Sequence, residues 1–171
     1  MLRRELSDAR PGGIALTTDQ VWAELERQMF GVLGMVTARN EARTVGIVYK
    51  VRQRRLYFGT SATEWKVRHI AQNSAVSMTV PIAKRIPFLP WLRIPSATIT
   101  FRAVARVLDP ADVPGELPAA LHEGLSNDPS ETSPTAYVEI TPRGEFVTYG
   151  VGVSLMTMRD TEKARGRAPV T

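Results

Sequence analysis

The stretch that most constrains this chain is residues 56–80, LYFGTSATEWKVRHIAQNSAVSMTV. Leu56, Tyr57 and Phe58 are branched or aromatic and suit a buried pleated surface, and Gly59 closes that run. The small hydroxyl residues Thr60, Ser61 and Thr63 follow. Ser61 with Glu64 three positions on makes a capping box, so a helix is expected to start there. Val67, Ile70 and Ala71 supply its apolar stripe, Asn73 and Ser74 break it, and residues 75–80 read as a second strand. A strand that feeds hydroxyls into a helix N-terminus, with Lys66 in the first turn, has what an anion seat requires. Free backbone N–H groups, the positive end of the helix dipole and a cation would all face one point. The same spacing also describes an ordinary capped helix with a solvated lysine, and local spacing does not separate the two readings.

At 171 residues the chain suits one compact domain. No window approaches the roughly 18 consecutive apolar residues that a membrane-spanning helix needs. The first residues carry arginines with no apolar run behind them, so no secretory signal is expected. There is no cysteine, which excludes disulfides and thiolate metal sites. His69 and His122 are the only histidines, and no metal site is expected from so small a donor set. These features read as a cytoplasmic protein. The net charge is +5, and its placement is uneven: residues 42–108 hold twelve Lys or Arg and one acid, Glu64. That imbalance suggests either an anionic partner or a dimer in which acids of one subunit meet the basic section of the other.

In chain order, residues 1–16 look like a flexible arm broken at Pro11, Gly12 and Gly13. Residues 17–29 read as a helix, with a Thr17–Gln20 capping box and Val21, Trp22, Leu25 and Met29 on its apolar face. Residues 32–38 and 44–51 are expected strands. In the second, Val45, Ile47, Tyr49 and Val51 share one face, and Gly46, Val48 and Lys50 the other. Residues 52–55 form a charged turn. After Val80 the segment to residue 95 has four prolines and should be neither helix nor inner strand. Its apolar content (Phe88, Leu89, Trp91, Leu92) implies that it covers something or is covered. Residues 96–108 alternate clearly as a strand, a broken helix follows to Leu125, and residues 126–134 are a polar loop. Residues 135–141 and 145–151 read as a hairpin around Pro142, Arg143 and Gly144, and residues 153–171 as a basic tail carrying Arg159, Lys163, Arg165 and Arg167. The count gives a mainly β (α+β) fold, a six-stranded antiparallel barrel with flanking helices, closed so that no strand edge is exposed.

The order of these elements resembles the pyridoxamine 5'-phosphate oxidase-like family of FMN-binding split β-barrels, over about residues 17–152. The run from Val32 to Thr37 is similar to that family's first strand, and Val45 to Tyr49 to its second. Leu56 to Thr60, then Trp65, Lys66, Ile70, Asn73 and Val76, are similar to its strand, hydroxyl and lysine-bearing helix. The resemblance implies a cofactor phosphate at Thr60, Ser61, Trp65 and Lys66, and a flavin ring along Val48, Tyr49 and Lys50. Trp91 is either a lid on that ring or a core or interface residue. The resemblance favours the phosphate seat over the ordinary capped helix. The chain departs from the pattern at Glu64, where the family has a serine, at Thr44 and Val45, where the oxidases have an arginine, and in lacking their C-terminal arginine–histidine pattern. These departures point away from vitamin B6 oxidation and toward the wider flavin and deazaflavin branch.

The implied function is hydride transfer to or from a small molecule, with FMN as cofactor and coenzyme F420 as the alternative. The protein would be a homodimer with the cofactor at its interface. A non-catalytic flavin- or haem-binding carrier is the other reading. No catalytic side chain is legible: His69 and His122 have no partner set, and His69 reads as a surface or capping residue. Nucleic-acid binding is not expected, because Tyr57 and Phe58 lie in a strand that looks buried rather than on an open stacking face.

Overall fold

Strand alternation organises the molecule. The computed structural model describes residues 13–84, 96–123 and 136–171. Among them are nine strands: β1 (Ile14–Ala15), β2 (Phe30–Val36), β3 (Ala42–Val48), β4 (Lys50–Arg52), β5 (Arg55–Thr60), β6 (Ala75–Ile82), β7 (Ala97–Leu108), β8 (Ala136–Tyr149) and β9 (Arg165–Pro169). The helices are α1 (Thr18–Arg27), α2 (Trp65–Gln72), α3 (Leu117–Glu123) and α4 (Thr161–Ala164). The mainly β reading with flanking helices holds.

The closed, wholly antiparallel six-stranded barrel does not. The ladder runs β1-β9-β8-β7-β6-β2-β3, with β5 added to β8 and β4 to β5. The β1–β9 pair is parallel. No ladder joins β3 to β5, so the sheet is not closed; only the chain itself, at Tyr49, carries the path from β3 to β4. Tyr49 fixes this crossover. Its N–H donates to the Met29 carbonyl at 2.8 Å, its ring is fully buried, and its hydroxyl donates to the Leu25 carbonyl at 3.0 Å. Burial first, and the Glu24 carboxylate second, push its phenol well above the usual tyrosine range.

Inward residues of the strands form one core, including Leu33, Met78, Ile99, Phe101, Ile140 and Phe146. Each fully buried side chain of this kind contributes about 1.5–3 kcal/mol. Helix α1 closes one end with Val21, Trp22 and Leu25, and the Trp22 ring meets Phe146 edge-on at 5.4 Å. The Thr17–Gln20 capping box is present, with bonds of 3.2 and 2.9 Å. The helix stops at Arg27, so Met29, expected on its buried face, is 50% exposed.

Three further expectations are corrected. Residues 136–149 are one strand, not a hairpin: both halves pair with β7, and the register slips between Phe101 and Arg102. Gly144, at φ 77°, belongs to a bulge that bends the strand without reversing it. Before the bulge β8 also pairs with β5, and after it with β9. Pro81 lies inside β6, beyond the last residue paired with β2, where its missing N–H breaks no bond on that side. The basic tail supplies β9, and it receives α1, since Thr18 Oγ1 and Trp22 Nε1 donate to the Pro169 and Val170 carbonyls at 2.8 and 3.3 Å. Of the expected arm at residues 1–16, residues 13–16 are described and carry β1, while residues 1–12 lie outside the described residues, as do the loop residues 85–95 with Trp91 and the whole polar loop at 126–134.

Candidate functional site

The split in the ring is built from the pairing pattern. Lys50 lies opposite Tyr57, and β4 covers β5 only from Arg55 to Tyr57. Among the described residues, residues 58–60 therefore have β8 on one side and no strand on the other, while β3 has β2 on one side and no strand on the other. Val48, Tyr49 and Lys50 mark one lip of this gap. Thr60 ends the other, about 10 Å along β5 from the residue opposite Lys50, and the chain then turns through Ser61 into α2. The sequence-predicted residues thus stand on strand edges that have no partner among the described residues: Val48 at the end of β3, Lys50 at the start of β4 and Thr60 at the end of β5. Trp91 is not among the described residues.

Each side chain has a distinct setting. Tyr49 is turned into the core. Lys50 is half-buried and belongs to no ion pair among the described residues. Thr60 is half-buried and Ser61 exposed. The Ser61–Glu64 capping box is corrected: Glu64 is itself the N-cap of α2, and its side chain caps nothing. Ser61 Oγ instead accepts from the Thr63 N–H at 3.3 Å and sits 2.9 Å from Thr63 Oγ1. This local turn competes with helix initiation and delays α2 until Trp65. The helix terminus is left without a side-chain cap, beside three hydroxyls and Lys66. Lys66 Nζ lies 3.5 Å from Glu64, and the lysine side chain is 15% exposed. Trp65 packs on the core and meets His69 edge-on at 5.6 Å. His69 is half-buried rather than a surface residue, and its Nδ1 is sheltered with no hydrogen-bond partner.

Sequence reasoning missed a second polar cluster, on the outer face of β5 and β8. Glu139, 8% exposed, accepts from Tyr57 Oη at 3.0 Å and Arg55 Nη1 at 2.9 Å, with Arg106 Nη2 at 3.8 Å. Burial first, then the Glu139 hydrogen bond, raise the Tyr57 phenol above its ordinary value. Tyr57 also packs with Leu108, Leu117 and Leu121, which holds α3 against the sheet. The charge imbalance is largely answered within one chain. Arg52 meets Glu116 at 3.2 Å, Arg54 meets Asp19, and Arg106 approaches Asp112 at 3.9 Å. The acids of α1 and of residues 109–145 come to the basic section through the fold, so its excess charge alone does not require a partner.

The geometry defines a split barrel, the fold of pyridoxamine 5'-phosphate oxidase-like proteins, as the sequence resemblance implied. Among solved structures, a putative pyridoxamine 5'-phosphate oxidase from Listeria innocua is 18% identical, over 73% of this chain and 92% of its own, with a TM-score of 0.54. The haem storage protein from Vibrio cholerae is 15% identical over 80% and 98%, TM-score 0.60. An F420 reductase is 21% identical over 72% and 93%, TM-score 0.51. At these identities the likeness is one of fold. No family profile and no curated protein matches the sequence.

Proposed function

We propose that the protein is an oxidoreductase that holds FMN in the split, with F420 as the alternative cofactor, and transfers a hydride to or from a small molecule. The observation that carries this reading is the uncapped N-terminus of α2, with Lys66 and the Thr60, Ser61 and Thr63 hydroxyls at the end of a strand bordering the gap. That donor set fits a phosphate monoester, which takes hydrogen bonds from hydroxyls and N–H groups and charge from lysine. Glu64 is the opposing group. A bound phosphate competes with it for Lys66, and Glu64 turns outward when the phosphate arrives. Along the other lip, the backbone of Val48 to Lys50 flanks the ring, and Trp65 holds the start of α2 against the core. The bound flavin supplies the redox chemistry; the chain positions it and excludes water.

The homodimer belongs to the same reading. The outward face of β2, β3 and β6 carries Gly34, Ser77 and Thr79 beside the exposed apolar Phe30 and Val36, and β7 continues it with Thr100 and Val104 and with two exposed arginines, Arg102 and Arg106. Phe30 lies over Gly46, where an added Cβ would stand 2.8 Å from its ring. Contact of this face with its copy would bury β3 beside the split, so that both subunits border the cofactor. The same reading puts its work in the cytoplasm, where reduced nicotinamide and flavin pools lie.

A second reading, a carrier of flavin or haem without turnover, draws support from the fold shared with the haem storage protein. The absorbance spectrum of the purified protein, followed by addition of NADH or NADPH, tests both. A flavin spectrum that bleaches supports the enzyme. A haem spectrum, or a flavin that no reductant or substrate changes, favours the carrier.

A further inference from the structure

Outside the split, a groove of about 410 Å³ lies between β4 and the segment that enters α3. Its volume falls within the range of small-molecule sites. Val51, Leu117 and Ala120 give it an apolar surface, and Pro114 and Gly115 form one wall. Three charged groups stand at it. Arg52 and Glu116 pair at 3.2 Å and cancel. Lys50 has no ion-pair or hydrogen-bond partner among the described residues for its ammonium, so the groove carries one uncompensated positive charge. An unpaired lysine lining an apolar groove favours a ligand that brings one negative charge and an apolar body. Leu117 belongs to the buried cluster with Tyr57, Leu108 and Leu121, which fixes the start of α3 at the groove's edge.

We propose that this groove binds a small organic monoanion, a carboxylate on an aromatic or branched apolar body, with Lys50 taking the carboxylate and Leu117 and Ala120 the body. Because Lys50 also ends one lip of the split, the groove opens next to the place assigned to the flavin ring. The ligand is thus the substrate of the proposed reaction. That last step rests on the cofactor reading; the binding does not.

Gly115 offers the test. Gly115 lines the groove, and an added Cβ there meets no atom within 4 Å and no left-handed φ, so Gly115→Trp sets an indole at the groove wall without backbone strain. Anilinonaphthalene sulfonate, itself an apolar monoanion, is the fluorescent probe, titrated into cofactor-free protein and displaced by phenylpropionate, phenylpropanol or phenylpropylamine. Phenylpropionate is expected to displace the probe about tenfold better than the alcohol, and the amine not at all. Lys50→Ala should erase the preference for the carboxylate, and Gly115→Trp should abolish probe binding while FMN affinity stays unchanged. Equal displacement by acid and amine, or wild-type probe binding by Gly115→Trp, would overturn the proposal. Carboxylate selectivity in a wild-type protein that fails to bind FMN and F420 would keep the groove and remove the cofactor reading.

Discussion

Glu139→Ala is the perturbation whose cost follows most directly from the structure. Glu139 sits between Tyr57 on β5 and Arg106 on β7, each its direct cross-strand partner, with Arg55 reaching it diagonally. Tyr57 is 3% exposed, so removing the carboxylate strands its hydroxyl out of water. A buried hydrogen bond to a charged group contributes about 1.5–3 kcal/mol. The Arg55 side chain is half exposed, so its ion pair adds at most about 1 kcal/mol, and the Arg106 contact at 3.8 Å adds less. The expected loss is about 2–4 kcal/mol, or roughly 4–16 °C in Tm for a chain of this length. Urea unfolding followed by tryptophan fluorescence measures it. Glu139→Gln, whose amide oxygen still accepts from Tyr57, should lose about half as much, and Tyr57→Phe about 1 kcal/mol. In a double-mutant cycle the two sites should couple by about 1 kcal/mol or more. A Glu139→Ala protein within about 0.5 kcal/mol of wild type would show that the cluster does not hold α3 to the sheet.

Other outcomes follow from single contacts. Tyr49 and Tyr57 both have phenols raised above their unfolded values, so their contribution is complete below about pH 10 and declines as pH rises above it; Tyr49→Phe should flatten that alkaline decline in a pH series of unfolding curves. Gly150 has φ 72° and its added Cβ would meet Met158 Cε at 2.5 Å, so Gly150→Ala should cost about 2 kcal/mol or more, read as a lower urea midpoint. Ending the chain at Ser154 removes β9, the strand beside the second half of β8 and the acceptor for Trp22, and should abolish cooperative unfolding rather than merely trim a charged end. Phe30→Asp places a charge on the outward sheet face and should yield monomers in sedimentation at a concentration where the wild type sediments as a dimer; a wild type that is already monomeric would contradict the interface.

How much of this was legible depends on whether the signal was local. The alternation of Ile99, Phe101, Ala103 and Ala105 gave β7, and the Thr17–Gln20 box gave the start of α1, because both patterns lie within one element. Ser61 misled because its hydroxyl has two local uses, capping and turn formation, and the turn prevailed. Pro142 to Gly144 reads as a reversal in isolation. It is a bulge because β7 continues past it, a fact held in another part of the chain. The tail read only as a basic end because its charges outweigh its short apolar alternation, Ala164, Gly166, Ala168 and Val170, every one of which is buried. The Lys50 groove and the Glu139 cluster join β4, β5, β8 and α3, and no spacing within any one of these announces them. The residues proposed to hold the cofactor fall in two short runs, Thr60 to Lys66 and Val48 to Lys50, so the sequence could single them out together, and their role is the proposal tested below.

The central claim is that Lys66 and the α2 terminus hold a cofactor phosphate, and the direct measurement is calorimetric titration of FMN and of F420 into cofactor-free wild type and Lys66→Ala. A charge-assisted phosphate contact contributes about 1.5–3 kcal/mol, so the substitution should weaken binding of the cognate cofactor by about tenfold to a hundredfold. Saturable binding of one of them in the wild type, weakened to that degree in Lys66→Ala, is the expected result. Titration curves that the substitution leaves unchanged, or wild type that binds neither, would contradict the account.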